Sequence, residues 1–274
     1  MLVSCNTIQT RRSPPFTFSG AKSTTSIMSA SNRKAALIVV DLYAFSLISA
    51  APGAPADHVC SQNDFCPPTG SLAVQGGRDI ARQINTLLTY PFTLKLATRD
   101  FHPANHISFA SQHSDAKPFI SSHTIANPEN AEEQQTTLLW PDHCVQGTEG
   151  CELIKELDTE QLDFILDKGL DPRVESYSAF GPPFRSPAVS MSGLTDRLRE
   201  KKITEVFCCG LAWDFCVKFT AIDAAKEGFR TFVVRDATKG IDEEAKETED
   251  ELKKAGVAVV RMGSDELESI RTGA

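Results

Sequence analysis

Six short apolar runs recur along the chain: AALIVVD (35–41), FTLKLATRD (92–100), LDFILDK (162–168), EVFCCGL (205–211), TFVVRD (231–236) and VAVVRM (257–262). Runs that are nearly continuous in Val, Ile and Leu, instead of alternating with polar residues, mark strands buried on both faces. Between them stand amphipathic stretches that read as helices: 77–89, 192–202, 214–228 and 242–256. Strand and helix in alternation imply an α/β fold, a six-stranded and mostly parallel sheet with helices on both faces. Such a sheet binds ligands beyond the carboxyl ends of its strands, so the residues closing each run come first. Asp41 closes the first, Lys168 closes the third, and the loop after the fourth carries Cys216.

Composition removes other classes. With 28 Lys+Arg against 36 Asp+Glu the net charge is -8, so no basic patch is available for phosphate backbones, and nucleic acid is not an expected partner. No apolar stretch reaches the roughly 18 residues of a membrane span, and no membrane partner is expected. Eight cysteines in a chain of 274 residues, two of them inside an apolar run, read as free thiols in a reducing compartment.

Residues 1–34 hold no Asp or Glu and five basic residues, the composition of a transit peptide, whereas Met28 opens a shorter frame in which a strand soon begins. We expect residues 1–33 to be a disordered extension and 34–274 a single domain. The expected location is cytoplasmic, with nuclear or peroxisomal location as alternatives and mitochondrial import tied to residues 1–27 being translated.

Asp214 is a candidate helix N-cap that places Cys216 in a first turn, where free amides and the helix dipole stabilise a thiolate. A buried helix cysteine is the competing reading, and Cys208 and Cys209 read as small hydrophobes within their strand. No His follows Cys216, so a Cys/His pair could form only with a residue far upstream. Asp41 and Lys168, on the same sheet rim, can supply proton transfer and positive charge instead, a loop-capping Asp and a solvated Lys being the competing readings. Asp100 and His102 stand two residues apart where a strand runs out, so both can face one cation, with His143 as a third ligand candidate. Pro103 separates His106 from that pair, which makes His106 structural or supporting. His58, His113 and His123 lack ligand spacing and read as surface residues.

The ordered set VVDL, QNDFCPPTGSLAVQGG, ATRDFHPANHISFA, LWPDHCVQGTEG, DKG followed by ESYSAF, and GLAWDFCV closely resembles the nicotinamidases of the isochorismatase-like cysteine hydrolases. The resemblance covers 35–262 apart from one segment and implies a Rossmann-like three-layer fold. It implies Cys216 as nucleophile, Asp41 as general base and acid, and Lys168 as charged helper. It further implies Asp100, His102 and His143 as ligands of one divalent ion, zinc first, iron or manganese as alternatives. A cis peptide is implied between Leu211 and Ala212, with the amides of Ala212 and Cys216 as oxyanion hole. Phe65, Trp140 and Tyr177 match aromatics that hold a flat ring. The implied substrate is nicotinamide, split to nicotinate and ammonia in NAD salvage, by an enzyme that can be a homo-oligomer.

Two departures stand out. Residues 43–61 separate Leu42 from Gln62 where the family runs on directly. A retained intron would account for them: if Leu42–Tyr43 is encoded CTG–TAC and Cys60–Ser61 TGC–AGC, the ends carry GT and AG and excision restores Leu42 in frame. The alternative is a genuine lid at the rim of the site. We expect the chain carrying this segment to be weak or inactive and the shortened one active. Trp213 replaces a smaller residue and is expected to affect substrate preference. The alternatives are a related amidohydrolase acting on a carbamoyl or ureido group, and a non-catalytic binding module; no glycine-rich phosphate fingerprint follows the first strand, and GGRD (76–79) lacks the spacing.

Overall fold

All six apolar runs become strands of one sheet. The computed structural model describes residues 33–42, 64–242 and 245–273; the N-terminal extension, Met28, segment 43–61 with His58, and the Gln62–Asn63 pair lie outside the described residues. In chain order the strands are β1 (Ala35–Val40), β2 (Leu94–Asp100), β3 (Ser122–Asn127), β4 (Asn130–Leu138), β5 (Phe164–Lys168), β6 (Glu205–Leu211), β7 (Arg230–Lys239) and β8 (Ala258–Val260). The helices are α1 (Ala81–Leu88), α2 (Leu194–Glu200), α3 (Lys218–Lys226), α4 (Lys246–Lys254) and α5 (Asp265–Thr272). The main sheet runs β5-β2-β1-β6-β7-β8, and every neighbouring pair is parallel.

Burial explains why the strands are apolar throughout. Every residue of β1 is buried, and alternate side chains enter two cores. Ala35, Leu37 and Val39 pack with Ile84 and Leu87 of α1 and Leu267 of α5, whereas Ala36, Ile38 and Val40 pack with Leu198 of α2, Ala221 of α3 and Leu252 of α4. Each fully buried Leu or Ile contributes about 1.5–3 kcal/mol of transfer free energy, so the centre of the sheet is the stable frame on which the strand ends are held. No helix among the described residues is long and apolar enough to cross a membrane.

Two elements lie beyond what the apolar pattern predicts. The antiparallel hairpin β3–β4 is polar, with Ile125, Asn127 and Thr137 as its buried residues, so no apolar run announces it. Its turn signal is present, because the Asn127 side chain accepts a hydrogen bond from the amide of Glu129 at 2.9 Å. Helix α5 carries a Ser264 N-cap, three acidic residues in its first turn and Gly273 at φ 72° beyond its end, all readable in SDELESIRTG.

Candidate active site

The carboxyl ends of β1, β2 and β5 bring three charged side chains together. Asp100 and Lys168 are register partners on β2 and β5, and their side chains meet at 2.5 Å. Lys168 Nζ also lies 2.9 Å from Asp41 Oδ2, donates to the Ser176 carbonyl at 3.3 Å, and lies 3.5 Å from Cys216 Sγ. Asp41, just past β1 at φ 45°, is held by Thr98: its amide donates to Thr98 Oγ1 at 3.1 Å, and its Oδ1 accepts from that hydroxyl at 2.6 Å. Cys216 completes the group. Thr98 escapes the sequence reading, although it lies two residues before Asp100 on the same strand face.

Water is excluded here, and burial dominates the proton equilibria. Burial pushes the Asp41 carboxyl above its usual range, against the pull of Lys168. It also pushes the Cys216 thiol well up, so Cys216 rests as a thiol beside a carboxyl whose proton affinity is raised. Burial works against the Lys168 charge, but Asp100 and Asp41 outweigh it and keep the ammonium well above its ordinary value. The expectation of a thiolate stabilised by a helix start therefore needs correcting: Cys216 is 6% exposed and burial pushes its thiol well up.

The local helix start also differs from the expectation. Regular helix begins at Lys218, after a wider turn over Trp213–Val217 with Ala212 at its cap. Asp214 does not cap; its carboxylate accepts from the amides of Ile241 at 3.0 Å and Asp242 at 2.8 Å and ties down the loop after β7. The Leu211–Ala212 peptide is cis. The Ala212 carbonyl accepts from the amides of Phe215 and Val217, which wraps 212–217 beneath the pocket that Ala212 and Cys216 both line.

Asp100, His102 and His143 are buried with one ligand atom each within 4.8 Å of the others. His102 Nδ1 faces the Gly169 carbonyl at 2.9 Å and His143 Nδ1 faces the Pro141 carbonyl at 2.8 Å. Each carbonyl accepts from Nδ1, which leaves Nε2 as the nitrogen available to a cation, the arrangement metal-binding histidines adopt. Burial works against a charge on His102, but Asp100, 3.7 Å from its Nε2, outweighs it and raises the proton affinity of that ring. Burial holds His143 down to about 3, so it is neutral and ready to ligate. Two imidazole nitrogens and a carboxylate oxygen fit a divalent ion such as zinc, iron or manganese. His106 stacks on His102 with centroids 4.0 Å apart and bonds Ser108 Oγ and the Val174 carbonyl, which makes it a support. His113 and His123 are half-buried and not isolated, since hairpin β3–β4 brings their rings to 4.4 Å.

Phe65, Trp140 and Tyr177 line one pocket with Asp100, His143 and Cys216, and Phe215 adds a fourth aromatic wall. Trp140 is fixed by a 2.9 Å hydrogen bond from its indole to the Tyr177 hydroxyl, which also meets Thr137 Oγ1 at 2.6 Å. Sequence reasoning misses Phe215, beside the nucleophile, and Glu175, a buried carboxyl in the quoted ESYSAF that lines the same pocket. Trp213 points away: it is buried in the second core under Arg235, with the guanidinium 4.7 Å above its ring. A separate cavity of about 470 Å³ is lined by Leu166, Lys168 and Ser176 and holds neither Asp41 nor Cys216.

A parallel sheet covered on both faces, with a cysteine, two carboxylates and a lysine converging at its strand ends, places the chain among hydrolases of the α/β fold class. Residues 61–262 match the Isochorismatase domain, and the chain belongs to that family. It is 43% identical over 181 residues to the nicotinamidase of Acinetobacter baylyi, an overlap of 66% of this chain and 78% of that protein. Among solved structures it resembles yeast nicotinamidase bound to the inhibitor nicotinaldehyde, with TM-score 0.71, 31% identity and coverage of 83% of this chain and 99% of that one. It also resembles the pyrazinamidase of Pyrococcus horikoshii in complex with zinc, with TM-score 0.59, 32% identity and coverage of 84% and 99%.

Proposed function

We propose that this chain is a nicotinamidase, a cysteine amidohydrolase that converts nicotinamide and water to nicotinate and ammonia in pyridine nucleotide salvage. The observation that carries the reading is the meeting of Cys216, Asp41 and Lys168 with an aromatic-walled pocket and an Asp–His–His set. The Acinetobacter baylyi and yeast relatives, both nicotinamidases, agree with it.

Asp41 takes the Cys216 thiol proton, and Sγ attacks the carboxamide carbon. The amides of Ala212 and Cys216 receive the developing oxyanion, each such donor being worth about 3 kcal/mol in comparable sites. Asp41 returns its proton to the leaving nitrogen and ammonia departs, leaving a thioester on Cys216. Asp41 then takes a proton from water, which attacks the thioester; nicotinate leaves and the thiol is restored. Lys168 keeps Asp41 oriented throughout and offsets its negative charge. Phe65, Trp140 and Tyr177 clamp the pyridine ring, converting binding into orientation. Asp100, His102 and His143 would hold a divalent ion, which would supply Lewis acidity for orienting the substrate ring.

Ammonia release from nicotinamide by residues 28–274, made with and without 43–61, tests the reading with zinc present. Release by either chain supports the deamidase, and release by the shortened chain alone supports the retained-intron origin of 43–61. Silence from both transfers the assignment to a carbamoyl or ureido amidohydrolase.

A further inference from the structure

Asp64 joins the aromatic wall to the loop that carries His143. Its Oδ2 accepts from the amide of Cys144 at 2.7 Å and its Oδ1 from that of Ser71 at 3.4 Å. Its own amide donates to the Gly150 carbonyl at 3.4 Å, and its carbonyl accepts from Leu72 at 2.8 Å. The fit is close: a Cβ at Gly150 would lie 2.0 Å from Asp64 Oδ2, so only glycine there leaves room for the carboxylate.

The residue that Asp64 grips is unusual. Cys144 has φ 48°, a left-handed conformation that costs a non-glycine residue about 1 kcal/mol or more and needs support from its surroundings. That support comes from both sides, because the Cys144 carbonyl accepts from the amide of His102 at 3.0 Å while Asp64 holds its N–H. The pairing continues as a parallel bridge between His102 and Val145, with the Gln146 amide donating to the His102 carbonyl at 2.8 Å. His143 immediately precedes this turn, and Phe65 immediately follows Asp64.

We propose that Asp64 is a positioning residue for the metal ligands: by fixing the Cys144 turn it sets the separation of the His102 and His143 imidazoles, and it brings Phe65 to the same wall. The inference rests on the metal reading given under the proposed function. Zinc affinity of the full chain, measured by competition with a chromophoric chelator, tests it without reference to turnover. Asp64→Ala raises the zinc dissociation constant about 10- to 100-fold, as loss of outer-shell support does elsewhere. Asp64→Asn stays within about threefold of wild type, since an amide oxygen can still accept from Cys144.

An unchanged zinc constant in Asp64→Ala overturns the proposal, even if the metal-free protein melts lower, because that pattern belongs to a merely structural role. Should Asp64→Ala fail to fold, Asp64→Gln replaces it: the extra methylene crowds Gly150 and weakens zinc about tenfold relative to Asp64→Asn, and equal constants for the two overturn the idea. A wild-type chain that binds no zinc removes the metal reading along with this one, an outcome distinct from zinc binding that ignores residue 64.

Discussion

Asp100 and Lys168 stand opposite each other on adjacent parallel strands, and their charges meet at 2.5 Å with no more than 5% of either side chain exposed. Lys168 also serves Asp41, so one ammonium answers two buried carboxylates. Lys168→Met leaves both facing each other without a counter-charge. The expected cost is about 3–5 kcal/mol of stability, read from urea denaturation. Turnover should fall about 100-fold or more, since Asp41 would then hold its proton too tightly to act as a base. A Met variant as stable as wild type would show that the pair contributes nothing.

Thiol chemistry separates Cys216 from its neighbours. Burial pushes Cys66, Cys208 and Cys216 all up, so exposure is what separates them: Cys66, Cys144, Cys151, Cys208 and Cys209 are wholly buried, whereas Cys216 keeps 6% exposure on the pocket. Mild iodoacetamide treatment followed by peptide mass mapping should therefore label Cys216 first among these six, and saturating nicotinamide should protect it. Equal labelling of Cys66 and Cys216 contradicts the assignment of a nucleophile.

Most of the frame is legible because each strand has to be apolar on both faces, a pattern that survives in AALIVVD and EVFCCGL without any knowledge of neighbours. Asp41, Lys168 and Cys216 are legible for the same reason: strand ends are where such a sheet places its chemistry. What escapes depends on contacts between distant segments. Asp64 acts on Cys144 across 80 positions, and Thr98 acts on Asp41 across 57. Asp214 looks like a cap by local rules, yet the loop after β7 offers two amides and wins its carboxylate. Hairpin β3–β4 lacks an apolar run because only part of one face is covered.

Trp213 supplies a test of one corrected expectation. Its ring lies in the core beneath Arg235 and outside the pocket lining, so it has no contact through which to select substrates. Trp213→Phe should leave KM for nicotinamide within about twofold while lowering stability by about 1–3 kcal/mol through lost packing. A large change in KM with unaltered melting would restore the selectivity role.

Asp171 links stability to pH outside the catalytic group. A bidentate hydrogen bond from Arg173 holds its carboxyl far below the usual carboxylate range, and Ser190 Oγ adds a 2.6 Å hydrogen bond. A folded-state value below the unfolded one means that the carboxylate stabilises the fold above about pH 4, and that this contribution fades as pH falls toward the folded value. Arg173 is 60% exposed, so solvent screening keeps the contribution near about 1 kcal/mol. Asp171→Asn should therefore be less stable than wild type at pH 7 by about that amount. The gap should narrow when denaturation is repeated at successively lower pH down to about 3.5, because the Asp171 carboxyl takes up a proton in the unfolded wild type while the folded one stays charged. A gap that widens on acidification would mean that the substitution removes some contact unrelated to charge, and the assigned role of the Arg173 pair would fall.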